Sequence, residues 1–212
     1  MDFPEGNERE LILQVATRLV AGLGYDGTSI QQVGEAAGLD AETIGAYFPT
    51  KRELYLEVMR KNHRIRADVV IPCSDELRTA PHEEKAAALR RFADSYLDLC
   101  LSHPEIALLW MHRWMSDASD IDLDAIDVRP MTPHIIDSMS TATDPAGADA
   151  QFITYTLVWC IHGFVLSGVL DSMGRRSGAG DPCTLLRFRR HMHQMLTRVA
   201  LLDQHDDRVD DK

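Results

Sequence analysis

The chain has 212 residues and a mass of 23.8 kDa, with 45% hydrophobic and 26% charged residues and a formal net charge of −11. That is enough chain to bury a core without disulfides or metal, and too apolar for the disordered or collagen-like classes. A surface of that charge repels phosphate on average, which counts against a generic polyanion binder. The four cysteines, Cys73, Cys100, Cys160 and Cys183, form no C-x-x-C pair and read as reduced thiols. The acidic start, MDFPEGNERE, has no apolar run, so a signal peptide is not expected and a cytoplasmic protein is the simplest reading.

From Glu8, residues Leu11, Ile12, Val15, Ala16, Leu19, Val20 and Leu23 recur at helical spacing and predict an amphipathic first helix. Gly22, Gly24 and Gly27 end it. Thr28, with Gln31 three residues on, has the form of a capping box opening a short second helix. Ile30, Val33, Ala36 and Ala37 face inward on that helix, and Gly38 stops it. Asp40 is a good N-cap for a third helix with Ile44, Tyr47 and Phe48 on its apolar side. Pro49 and Thr50 break the chain before a longer helix, predicted from about Lys51 to Val70. Three short helices, the last two joined by a tight glycine turn, make a helix-turn-helix pattern whose third helix can enter a major groove.

Pro72 and Pro81 are expected to bracket a polar linker. Beyond it every pattern is helical: Leu89, Phe92, Tyr96, Leu99 and Cys100 form one stripe, and Ile106, Leu108, Leu109, Trp110, Trp114 and Met115 another. An acidic loop at Asp117–Asp127, a short helix near Thr132–Met139 and a small-residue loop at Thr141–Gly147 follow. Phe152–Leu170 is a 19-residue run without a charge. Length alone would let it span a bilayer, but Thr154, Tyr155, Thr156, His162, Gly163 and Ser167 make it a poor insertion segment. It is read as a buried core helix at the dimer interface, with no membrane partner expected. After a turn at Arg175–Gly180, Leu185, Phe188, Met192, Met195, Leu196, Val199 and Leu202 follow a/d-like spacing, and a polar tail closes the chain. No strand pattern or internal repeat is convincing. The fold class is all-α.

The stretches Gly24-Tyr25-Asp26-Gly27-Thr28-Ser29-Ile30, Glu35-Ala36-Ala37-Gly38-Leu39, Thr43-Ile44 and Tyr47-Phe48-Pro49-Thr50-Lys51-Arg52-Glu53-Leu54 together resemble the TetR family of bacterial regulators, over roughly residues 8–60. The resemblance implies a helix-turn-helix DNA-binding domain at 1–50 and a helical ligand-binding and dimerisation domain at 51–212. It implies a ligand-responsive regulator, a repressor released from a double-stranded DNA operator by a small molecule; the aromatic and Met residues named below, not the resemblance, make the expected effector apolar or amphipathic. The resemblance also implies a homodimer in which the last two helices pair across the two-fold. Gly163 and Ser167, four apart, would let a partner helix approach closely.

Within the head the resemblance implies phosphate contacts at Thr28, Tyr47 and Lys51, a base contact at Gln31, and a further contact at Thr43. Gln can bond adenine bidentately. Ala41 or Ala46 could touch a thymine methyl, and Glu42 could accept from cytosine. The charge is unusual for such a head. Residues 1–50 hold two basic residues, Arg9 and Arg18, against eight acidic ones, a net of −6, and no Lys or Arg lies between Leu19 and Thr50. This predicts few neutralised phosphates and a shallow salt dependence. The alternative is a degenerate head on a ligand-binding or protein-interaction module that no longer binds DNA.

Tyr96, Trp110, Met111, Trp114, Tyr155, Trp159 and His162 are the candidate effector contacts, with His112 and His134 as further polar anchors and Phe164 as a neighbour. An apolar pocket needs such side chains with a few polar groups, and plain core packing is the competing reading. Asp120, Asp122 and Asp124 imitate the start of a calcium loop, but Ala125 stands at position six and Met131 at position twelve. No Cys/His set has zinc spacing. No nucleophile elbow, P-loop or dinucleotide motif is present, so no catalytic residue, metal or cofactor is expected.

Overall fold

The computed structural model describes residues 5–122, 128–143 and 149–199. Parts of the expected acidic and small-residue loops, with Asp124 and Ala125, and the tail with Leu202 lie outside them. The elements are α1 (Glu5–Leu23), α2 (Ile30–Ala37), α3 (Ala41–Tyr47), α4 (Lys51–Thr79), a 3-10 turn (His82–Glu84), α5 (Lys85–Ser102), α6 (Pro104–Trp114), α7 (Val128–Ser140), α8 (Ala150–Ser167), β1 (Val169–Leu170), β2 (Arg176–Ser177) and α9 (Pro182–Val199). They fall into two compact units, residues 1–66 with 103–129, and 67–102 with 130–212.

The first unit forms around the apolar stripe of α1. Ile12, Ala16 and Val20 pack with Val33 of α2, Ile44 of α3, and Leu54, Tyr55 and Val58 of α4, all buried. Leu109 of α6 and Ala118 and Ile121 after it join the same cluster. The cap of α2 is Ser29 rather than Thr28. Its hydroxyl accepts from the Gln32 amide at 3.1 Å while the Gln32 side chain accepts from the Ser29 amide at 2.7 Å. Thr28 is drawn inward because its hydroxyl donates to the Gly24 carbonyl at 2.7 Å, closing the α1–α2 turn. Gly38 ends α2 at φ 69°, a left-handed conformation that costs a glycine little. Asp40 caps α3 through the Thr43 amide at 2.8 Å.

In the second unit α5, α8 and α9 surround a core that includes Leu89, Phe92, Leu97, Leu157, Ile161 and Leu196. Phe164 of α8 stacks on Phe188 of α9 with ring centroids 4.0 Å apart. The expected linker between the two prolines is helix instead. α4 continues through Pro72 to Thr79. Val70, Ser74 and Leu77 on its inner side are buried, and that burial offsets the one hydrogen bond a proline removes. Lys85 then closes the helix end, its ammonium donating to the carbonyls of Leu77 at 2.7 Å and Arg78 at 3.0 Å and to the Thr141 hydroxyl at 2.8 Å.

The charge-free run differs from expectation in its end: α8 stops at Ser167, and Val169–Leu170 pair antiparallel with Arg176–Ser177 in a small hairpin. In the single chain α8 is partly covered. Ile153, Leu157, Ile161 and Phe164 face the core, whereas Phe152 and Trp159 are 64% and 49% exposed.

Candidate nucleic-acid interface and effector contacts

α3 turns Ile44 into the core and leaves Ala41, Glu42 and Ala46 exposed. Thr43 is half-buried at the first turn. Gln31 is exposed on α2 and donates to Glu35 at 2.9 Å. Tyr47 is half-buried and its hydroxyl donates to Glu8 at 3.1 Å. The ammonium of Lys51 lies 4.2 Å from the centre of the Tyr25 ring, a cation–π contact. Seven of the eight head residues expected to meet DNA thus lie wholly or partly at the surface. Thr28 does not: it is buried and its hydroxyl is engaged by Gly24. Ser29, one residue on, is the exposed hydroxyl at this helix start.

The cations of this unit are largely engaged. Arg9 pairs with Glu57 at 2.9 Å and lies 5.2 Å over Phe48, Arg60 pairs with the same carboxylate at 2.7 Å, and Lys61 pairs with Glu10. Hydrogen bonds from Arg60 and then Arg9 hold the Glu57 carboxyl below its ordinary range. Arg52 is exposed at the start of α4 and makes no ion pair among the described residues. The Asp40 carboxyl is held low by the Thr43 amide and so keeps the negative end of its cap at neutral pH.

The turn between α1 and α2 is held from α6. Asp117 accepts the amides of Tyr25 at 2.7 Å and Asp26 at 3.0 Å, and the His112 ring bonds the Ala21 carbonyl at 3.1 Å. Arg113 ties the following loop by donating to the Asp117 and Ala118 carbonyls at 2.9 and 2.8 Å. Sequence reasoning missed this clip, because nothing in spacing joins residues more than 90 positions apart.

The seven candidate effector contacts divide between the units. In the second, Tyr96 and His162 are both buried and bonded at 2.7 Å, and Tyr155 and Trp159 sit one turn apart with rings at 5.6 Å. In the first, Trp110 and Trp114 are 6.4 Å apart, Met111 is half-buried and Trp114 is 39% exposed. Trp110 lines a narrow cleft with Met59, Asn62, His63, Ile106 and Leu109, roofed by the Arg66 guanidinium 4.8 Å over the indole. Asn62 is 94% buried, and its Oδ1 accepts no hydrogen bond, while its amide donates to the Val58 carbonyl at 2.8 Å. The spacing of Asn62 and Arg66, one turn apart on α4, is the sequence signal that could have found this wall. Among the described residues no group of His, Cys, Asp or Glu has a metal-holding arrangement.

Helices α2 and α3, joined by the Gly38 turn and packed on α1, form a helix-turn-helix head. Residues 12–58 match the family described as bacterial regulatory proteins, tetR family. A transcriptional regulator of Escherichia coli, RutR, is 33% identical over 54 residues, a match that spans 26% of either protein. Among solved structures, a TetR-family transcriptional regulator from Mesorhizobium loti superposes with a TM-score of 0.64 at 15% identity, covering 95% of this chain and 98% of that one. AibR, solved with isovaleryl coenzyme A and operator DNA, superposes with a TM-score of 0.66 at 14% identity, covering 89% and 97%. The head of this chain is similar to the TetR-family helix-turn-helix over residues 12–58, and the fold of the chain is like that of these solved structures.

Proposed function

We propose that the protein is a ligand-responsive transcriptional regulator, a repressor released from its operator by a small apolar or amphipathic molecule. It acts in the cytoplasm and is not an enzyme. The observation that carries this reading is the exposed outer face of α3, with Ala41, Glu42 and Ala46, on a head whose sequence matches the TetR family over residues 12–58. In this reading residues 1–50 meet DNA through Gln31, Ala41, Glu42, Thr43, Ala46, Tyr47 and Lys51. Residues 51–212 form the effector-binding and dimerisation domain.

Two observations support an effector role for the aromatic side chains. The Asn62–Trp110 cleft holds a buried acceptor without a donor, which a ligand N–H or O–H would satisfy. The buried Tyr96–His162 pair is a polar group inside an apolar core of the kind that orients a ligand. AibR was solved with both an acyl coenzyme A and operator DNA, which supports the same two-ligand scheme here.

The dimer reading is supported by the outer face of α8. Phe152 and Trp159 are exposed there on a helix without a charged residue, and large uncovered apolar patches on soluble chains mark contact surfaces. A gel-shift with DNA from upstream of the protein's own gene tests the function. The expected result is a retarded complex at low salt. No shift from a folded dimer at low salt overturns it.

A further inference from the structure

Two glutamines stand side by side at the start of α2, and they serve different ends. The Gln32 side chain is taken by the capping box, where its oxygen accepts the Ser29 amide at 2.7 Å. Gln31 is exposed, and its Nε2 donates to Glu35 Oε1 at 2.9 Å, one turn further along the helix. Glu35 is exposed as well, and this is the one bond its side chain makes among the described residues. Its backbone is settled by the turn to α3, since the Glu35 carbonyl accepts the Gly38 amide at 3.4 Å.

Nothing else favours a carboxylate at this place. Residue 35 lies in the last turn of α2, where the helix dipole disfavours negative charge. Glu35 makes no ion pair among the described residues, and on a head that docks on phosphate its charge weakens the encounter. What it does is orient an amide. The terminal torsion of a free glutamine is broad and roughly two-fold, so its oxygen and nitrogen can exchange places at a base edge. A carboxylate only accepts, so Glu35 draws the Gln31 nitrogen toward itself and leaves the oxygen on the opposite side. The amide keeps that oxygen and a second N–H for a base.

We propose that Glu35 is a positioning residue for operator reading, which locks the amide polarity of Gln31 so that the head selects adenine over guanine at the base this side chain meets. This rests on the reading of residues 1–50 as the DNA contact given above. Adenine offers the N6 donor beside the N7 acceptor, a match for an oxygen and an N–H held in one order. Guanine offers two acceptors, O6 and N7, and an amide oxygen that cannot turn away opposes O6. Glu35 itself touches no base. It gives up general attraction to DNA for choice between sequences, which is one use for acid in a head whose first 50 residues carry a net charge of −6.

Selection by the full chain from a duplex pool with a randomised centre, followed by sequencing of the retained DNA, tests this without a known operator. The parent is expected to enrich sites with an adenine preference at one position that Gln31→Ala erases. Glu35→Ala is expected to lower the adenine-to-guanine ratio at that position by about threefold or more, the effect of losing a charge-assisted hydrogen bond. Other positions are expected to stay as they were, and binding to the unselected pool to tighten as a negative charge is removed. The double variant is expected to match Gln31→Ala, since a residue acting through Gln31 has nothing to act on without it. Both sites are exposed helix positions where Ala is favoured, so the variants fold. Glu35→Gln loses the charge but keeps an accepting oxygen, and is expected to tighten pool binding while retaining most of the ratio. A smaller fall in Glu35→Ala, a loss spread over all positions, or a further fall when Glu35→Ala is added to Gln31→Ala overturns the proposal. So does a loss in Glu35→Gln equal to that in Glu35→Ala, or a Gln31→Ala pool that matches the parent's. A folded parent that enriches no sequence overturns the DNA-binding reading itself.

Discussion

The carboxylate of Asp117 lies 2.7 Å from the amide nitrogen of Tyr25, 92 residues earlier in the chain. The same side chain accepts the Asp26 amide, so one residue beyond α6 satisfies two donors of the turn that sets α2. Replacing Asp117 with Ala leaves both amides without that charged acceptor and is expected to lower stability by about 1–3 kcal/mol. Asn, which keeps one acceptor oxygen, is expected to retain part of it. Denaturant unfolding gives the stability, and faster amide exchange at Tyr25 and Asp26 localises the effect. Unchanged exchange at both amides would show that the clip does not hold the turn.

Two glycines in the head should answer the same substitution with opposite signs. A Cβ at Gly45 meets nothing within 4 Å, so Gly45→Ala is expected to stabilise by about 0.5–1 kcal/mol through helix propensity. A Cβ at Gly34 would stand 2.8 Å from the Leu39 carbonyl oxygen, so Gly34→Ala is expected to destabilise. Thermal melting of the two variants beside the parent decides it, and a shift of the same sign in both would contradict the packing described.

Electrostatic grip on DNA should come from few cations. Each phosphate contact contributes about 0.9 to the slope of log affinity against log salt. Arg52→Ala is expected to lower that slope by about one contact, because Arg52 is exposed and makes no ion pair among the described residues. Arg9→Ala is expected to change it little, because Arg9 is held by Glu57 and Phe48. Titrations of operator binding between low and moderate salt measure both, and equal losses in the two variants would refute the distinction.

Glu57 makes the head sensitive to acid. Its folded value is below the ordinary 4.5, so its contribution to stability is fully present above 4.5 and is lost as pH falls through the folded value. Glu57→Gln should flatten the acid limb of the stability curve relative to the parent. Parallel curves down to the acid transition would show that the Arg9–Glu57–Arg60 cluster contributes nothing.

Lys85 gives a dependence of the same sign in the alkaline range. Burial lowers its value below 10.5, so the unfolded chain binds more protons just below 10.5 and stability rises with pH in that window. Lys85→Met removes that rise. It also leaves the Leu77 and Arg78 carbonyls without their donor, at a cost of about 1–3 kcal/mol near neutrality. Equal stability of parent and variant across pH 7–10 would rule this out.

Much of the head was legible from local chemistry. Periodicity placed α1, Gly38 and Asp40 marked the turn and cap between α2 and α3, and the motif residues carried the resemblance to the TetR family. These signals act over three or four residues, within reach of backbone and side-chain rules. Thr28 and Ser29 show their limit. Both are capping residues, and which one faces solvent depended on a hydroxyl reaching back to Gly24 to close a turn. The helix through Pro72 and the break of the charge-free run at Gly168 were likewise decided by burial on one side and by a close backbone approach on the other. The candidate effector residues were found as types, but the wall made by Asn62 and Arg66 was not, since it needed α6 laid against α4.

The amino-acid sequence by itself determined the helical class, the head and its excess of acid, because composition and short-range periodicity are intrinsic to the chain. Only the tertiary structure decided which of those charges were engaged. Arg9 was taken up by Glu57 and Lys51 by Tyr25, and the α1–α2 turn by Asp117, through contacts whose partners lie tens of residues apart. Such pairings follow from packing, and packing is settled by the apolar surface all the helices bury together rather than by any one of them.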